Sequence, residues 1–458
     1  MRDVILTLFV FGSIPQMFRK PDFGLMVFTW LSLMNPHKLC WGFARGLPFA
    51  AAAAAATLSG LLVWKEPKTI PWIAPSILLA LRLGWVTFTT FFALNPEAAW
   101  VEWNVIWKIQ LVTFLIMMVM TTRERIIKTT WVIALSMGFY GVKGGIFTLT
   151  TGGGARVYGP EGTMLGGNNE VALALIMAIP LLRFLQLSTT RAWVRHGMAA
   201  AMFLSLVCTL GSQSRGAIVG AAAMLLFLIL KSRNKLPLIL MLALAIPPML
   251  AFMPDSWYER MATIKTYQKD GSAMGRINAW TTAVNIAKSR VVGGGLKALQ
   301  SHKVYRMYAP NPEDIHDAHS IYFQEIAEHG FIGLALFLFI GLTSWKTASR
   351  TIKLCRDHPN LKWVSDLNAM IQVGVVGYAS SGLFLGLANF DLYYDFVALI
   401  VCSHVYTKKA IAEEIADGKP ESAPESKPGP KSFVRPVVKP YDILSADPKP
   451  LGNRSGQL

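Results

Sequence analysis

The sequence predicts an all-α polytopic membrane protein, with about twelve transmembrane helices and one large, partly helical loop on the outer side. Three observations carry that prediction. Of the 458 residues 53% are hydrophobic, and apolar runs near the ~20 residues that a helix needs to cross a bilayer recur along the chain. Charged residues make up only 16%, clustered between the runs rather than within them. The cation surplus, net +17, falls largely in alternate connections, as cytoplasmic loops require. That alternation accounts for the basic balance without nucleic acid.

The elements follow in order. The opening run, 4–18, contains Gly12, Ser13 and Pro15, and its shortness favours a re-entrant or interfacial segment. A short span is expected at 23–34, then spans at 41–63, 70–94, 105–120, 126–150, 171–187, 194–210, 217–230 and 236–253. After a polar interval come 321–345, 364–387 and 392–406. Basic residues at Arg19 and Lys20, Lys65 and Lys68, Arg123 to Lys128, Arg191 and Arg195, Lys231 to Lys235, Lys346 to Lys362, and Lys408 with Lys409 mark one side. With 4–18 re-entrant, both termini lie in the cytoplasm. The glycine-rich stretch 152–170, the break 211–216, the long loop 254–320 and a short turn 389–391 then lie outside. Segments 255–268 and 276–288 of the long loop lack strand alternation and read as helices. The transmembrane unit is 1–406, loop included; the tail, 407–458, rich in Pro, Lys, Ser and Glu, is expected to be disordered. The four cysteines, far apart, form neither a disulfide framework nor a metal site.

Cations on the outer side break the charge rule and are the first candidates for chemistry. They are Arg156 in its glycine-rich loop, Arg215 in the break, Arg276 in the long loop, and Lys143 near the outer end of an apolar run. A cation at the membrane edge faces a polar cavity, faces an anion, or snorkels to the headgroups. Arginine suits phosphate, since its planar fork donates hydrogen bonds in pairs. Arg45, Arg82, Lys108 and Arg183, in or beside apolar runs, either pair internally or snorkel. His316, Asp317 and His319 stand where the long loop meets the run from 321. A neutral His there is either a general base or a structural hydrogen-bonding residue. No Asp, Glu or Cys cluster completes a metal set around the two histidines, and the glycine-rich stretch has no Walker pattern.

Several of these residues fall into one pattern. Asp317-Ala318-His319-Ser320-Ile321-Tyr322-Phe323-Gln324-Glu325, followed by Glu328-His329-Gly330-Phe331-Ile332-Gly333, resembles the signature of the O-antigen ligase and polymerase superfamily, with Ser320 where many members have Asn. Ser214-Arg215-Gly216 is a second mark of that family, and Gly275-Arg276 with Trp280 a third. Asn35-Pro36-His37, Gly159-Pro160 and Asn168-Asn169-Glu170 resemble the exosortase-associated branch of O-glycosylation ligases. The resemblance covers nearly all of 1–406.

It implies a metal-independent glycosyltransferase of the bacterial inner membrane, without cofactor, active on the periplasmic side. The donor would be an undecaprenyl-pyrophosphate-linked glycan, and the acceptor a hydroxyl of the lipid A–core, as in lipopolysaccharide biosynthesis. Chemistry agrees. Fixed guanidinium groups can stabilise the charge that grows on a departing pyrophosphate; Arg215 and Arg276 suit that catalytic role. Arg156 and Lys143, with Asn168, Asn169 and Tyr322, are candidates for substrate binding. His319 would take the proton of the attacking hydroxyl, with inversion at the anomeric carbon, and Asp391 and Asp395 are candidates to orient it. A polymerase or a protein O-glycosylation ligase would use the same motifs. A lipid-linked glycan transporter is the reading from another class, but the chain lacks the internal repeat common in transporters.

Overall fold

The computed structural model describes residues 1–232, 234–262 and 271–416, and among these every regular element is helical. Six helices are long and apolar enough to cross a membrane: Ala74–Phe91, Pro96–Val119, Arg123–Thr150, Asn168–Leu187, Ala192–Gly211 and the one beginning at Ile321. Lys235–Ala251 joined to Asp255–Ala262 across a 102° turn would make a seventh. The chain is an integral membrane protein.

Every expected run becomes helix, with instructive differences at the ends. The run 41–63 starts late, as helix Phe49–Val63 behind Pro48 and two 3-10 turns, Pro36–Leu39 and Phe43–Gly46. The run 364–387 stops early: helix Lys362–Ser381 gives way to a loop over 382–390, so the outer turn expected at 389–391 is longer. The last helix, Asp391–Ala416, continues ten residues beyond 406. In the long loop, helix Asp255–Ala262 covers the start of the expected 255–268, whose later part lies outside the described residues. Gly271–Ser289 covers 276–288.

The core forms around Asn168–Leu187, buried on nearly every side because its sequence is apolar all round. Lipid offers helices no hydrophobic drive to associate, so close packing through small residues does the work. Helix Arg123–Thr150 lies against Ala192–Gly211 through Gly141, Gly144 and Gly145; a Cβ there would overlap Ser205 Oγ, Cys208 Sγ and the Leu204 carbonyl. All four cysteines are buried and unpaired. On the basic face, Arg125 binds Glu66 at 2.6 Å and Asp22 at 3.3 Å, fastening three helix ends.

The opening run corrects an expectation. It forms two helices, Arg2–Gly12 and Ile14–Arg19, broken at Ser13. Asp3 Oδ1 accepts from the Gly42 and Ala44 amides at 3.0 and 3.1 Å, at one face of the bundle. Phe18 packs its backbone on Gly60, near the opposite face. The run therefore extends along helix Phe49–Val63 from one end to the other rather than looping back, because two short helices together supply the length that either lacks.

Candidate active site

The His319 motif does not open a straight spanning helix. The helix Ile321–Leu354 bends at Gly330, where φ is +68°. A side chain at Gly330 would strike the Val291 carbonyl, so only glycine serves. Residues 321–329 thus form a half-helix whose last carbonyls need partners inside the protein. A second glycine-rich turn supplies two: Gly294 N donates to Ala327 O (2.7 Å) and Gly295 N to Glu328 O (2.9 Å). Trp85 Nε1 donates to His329 O at 2.9 Å, and Thr89 Oγ1 meets His329 Nδ1 at 2.7 Å. Below them Arg82, 1% exposed, pairs with Glu325 and donates to Asn389 Oδ1 at 2.8 Å, between the rings of Phe337 and Tyr394. Arg82 is a structural cation, answering the choice the sequence left open.

Helix Gly271–Ser289 holds the segment leading to His319. Gly275 allows it to touch the His316 ring, which a Cβ would approach to 2.5 Å. Asn278 Nδ2 donates to the carbonyls of Asn311 and Asp314 at 2.8 Å, and Trp280 Nε1 to Ala318 O at 2.7 Å; the Trp280 ring stacks on Phe323 at 4.7 Å. On the other side Ile321 N donates to Gly382 O at 2.9 Å. These bonds hold His319 at φ +41°, a left-handed conformation that costs a non-glycine residue about 1–3 kcal/mol. Burial, and after it the Arg276 charge, push the His319 imidazole below its usual range, with Asp317 opposing them. His319 is therefore neutral at pH 7, ready to accept a proton.

Arginines gather at the break 211–216. Ser214 caps helix Arg215–Lys231, accepting from Ala217 N at 3.2 Å, so Arg215 is its first residue. Gly216 and Gly220 let that helix press on Phe384, Leu385 and Ser381. Gln213, with φ +54°, accepts from Arg156 Nε at its side chain (3.2 Å) and from Arg260 Nε at its carbonyl (3.0 Å). Asn168 Nδ2 donates to Ser212 O at 2.8 Å. The loop 382–390 links this arginine face to the base: Gly216 packs on Phe384, and Gly386 lies against the His319 backbone.

Beside that loop are two adjoining cavities, of about 310 and 100 Å³, sharing Glu170, Lys297, Gln324 and Gly386. The larger reaches Glu102 and Asn389; the smaller holds Gln300, Asp317, His319 and Glu328. Lys297, at φ +60°, places Nζ 3.5 Å from Glu102 and its amide 3.1 Å from Glu328 Oε1.

Of the expected site residues, Arg276 lies on helix Gly271–Ser289, which packs on the segment leading to His319, and Arg215 opens the helix that packs on the loop 382–390. Arg156 and Asn168 stand at the break; Asn169 is half-buried beside Glu170. Tyr322 spends its hydroxyl on the Ala379 carbonyl at 2.9 Å, and Lys143 is exposed on its helix and lines neither cavity. These two are not brought to His319. Asp391 and Asp395 do not orient it either: they line a separate pocket with Ser32 and Lys108, and Ser32 Oγ donates to Asp391 at 2.6 Å. Arg45 lies 3.9 Å from Glu161, and Arg183 bonds Gln186. Sequence reasoning missed Arg260, Glu102, Lys297 and Asn389, which no motif marks.

Comparison with known families identifies two parts of the chain. A family model described as O-antigen ligase matches residues 200–338, which contain Arg215, Arg276 and His319. A model described as a family of unknown function (DUF5935) matches residues 1–190. Residues 200–338 are thus an O-antigen ligase domain, as the resemblance of its three motifs implied. No curated protein matches the chain.

Proposed function

Proceeding from the O-antigen ligase domain, we propose that the chain transfers a glycan from undecaprenyl pyrophosphate to an acceptor hydroxyl on the periplasmic face, a lipid A–core sugar in the ligase reading. One observation carries it: a strained histidine lines a polar cavity beside the loop 382–390, on which the helix opened by Arg215 packs. His319 accepts the hydroxyl proton as the acceptor oxygen attacks the anomeric carbon. The bond to pyrophosphate breaks with inversion, and its electron pair leaves on the lipid. Arg215 and Arg276 stabilise that charge without a metal, with Arg156 and the helix N-terminus at Ser214 adding positive potential. Lys143, Asn169 and Tyr322 have no direct part in this scheme.

In this reading the helices Pro21–Met34, Phe49–Val63, Arg215–Lys231, Lys362–Ser381 and Asp391–Ala416 also cross, as do Lys235–Ala251 and 2–19, giving thirteen crossings in all. The N-terminus is then periplasmic and the tail beyond 406 cytoplasmic. Purified protein should transfer glycan from the lipid donor to lipid A–core in excess EDTA. Transfer only to a second lipid-linked glycan would make it a polymerase, and a strict need for added magnesium or manganese would sink the arginine mechanism.

A further inference from the structure

We infer that the two adjoining cavities beside His319 are the acceptor subsite, and that they select a neutral or amine-bearing sugar end over one carrying phosphate or carboxylate. The inference rests on the transfer reading and adds the acceptor class. The lining is the first ground. Glu102, Glu170, Asp317 and Glu328 contribute carboxyl groups, and Gln300, Gln324 and Asn389 contribute amides. Carboxyls and amides are suited to sugar hydroxyls, which both donate and accept. An anion would find one ammonium there, Lys297, already 3.5 Å from Glu102 and flanked by Glu328.

A second observation points to a ligand. Asn389 is 5% exposed and lines the larger cavity; its Oδ1 is held by Arg82, yet its Nδ2 has no partner among the described residues. A buried amide donor left unsatisfied is costly, and a sugar oxygen would satisfy it. The arrangement also separates the substrates. Arg156, Arg215 and Arg276 line neither cavity, so the charge that would draw pyrophosphate lies outside the acceptor lining. A phosphorylated acceptor would be drawn to the arginines, while a lining of carboxyls and amides offers its phosphate few donors.

Calorimetric titration of the purified full chain, free of lipid donor, tests this with three probes: maltotriose, the β-linked glucosamine trimer, and maltotriose phosphorylated on its terminal sugar. The wild type should bind the glucosamine trimer at least ~10-fold more tightly than the phosphorylated sugar, with maltotriose between them. Glu170→Lys should reverse that order. Asp317→Lys, at the exposed rim, should do the same and serves if the first variant does not fold. Equal or tighter binding of the phosphorylated sugar by the wild type overturns the inference, as does unchanged order in a folded variant or no binding of any probe. Undecaprenyl pyrophosphate binding is measured separately. Its absence counts against the transfer reading and leaves the sugar titrations to speak for the cavity.

Discussion

Arg82 and Arg156 are the same residue type in opposite settings. Arg82 is sealed in the bundle, with a carboxylate and an amide oxygen as partners and two aromatic rings at its sides. Arg156 stands at the mouth, where the neutral Gln213 side chain accepts from its Nε. A paired interior cation holds helices together, whereas a cation held by neutral oxygens keeps its field available to an anion. Residue type and hydropathy alone do not separate these cases; the partner does.

The sharpest way to test the contrast is to remove a partner. Glu325→Ala leaves Arg82 buried without its carboxylate, which should cost about 3–5 kcal/mol of stability. Thermal unfolding in detergent would show it, and Arg82→Met with Glu325→Leu should recover much of the loss. A midpoint unmoved by Glu325→Ala would place Arg82 with the functional arginines instead. His319→Ala should lower turnover by ~10²–10⁴ while unfolding and undecaprenyl pyrophosphate binding stay near normal, since the base acts on the acceptor. Near-normal turnover from pH 6 to 9 would return His319 to a structural role.

Arg215→Ala and Arg276→Ala should each cost ~10²–10³ in rate and weaken donor binding, with small effect on stability. Lysine at either place should rescue poorly, as an ammonium lacks the bidentate fork. The smallest effect expected is on pH dependence. A base works deprotonated, so activity should persist as pH falls through the ordinary imidazole range and fail only below it. Arg276→Gln removes one of the influences that depress the His319 pKa, so the acid limb should move upward. Burial, the larger cause, remains, and the move should be partial. A limb that stays put would detach Arg276 from His319.

Much of the fold was legible because lipid demands long apolar helices. The run 194–210, for instance, became Ala192–Gly211. The bend at Gly330 was hidden inside a run that reads as one continuous span. The loop 382–390 was hidden for a similar reason: Phe384, Leu385 and Leu387 look like membrane helix, yet they line the site or back it. In the site, Arg215, Arg276 and His319 were readable because each sits in a local motif with a packing reason, Gly216 and Gly275 among them. Glu102, Lys297 and Asn389 were not, since each comes from a different segment and only the folded chain assembles them.

The Arg82–Glu325 pair has a consequence in time. Its two members are separated by 243 residues, and ribosomes add roughly 5–20 residues per second. Helix Ala74–Phe91 therefore enters the bilayer about 12–50 s before its carboxylate exists. During that interval the guanidinium must be kept wet by headgroups, by water or by an insertion factor. Final seating of this helix thus waits for the half-helix 321–329, and a chain truncated before Glu325 should leave Ala74–Phe91 poorly anchored and open to quality-control proteolysis.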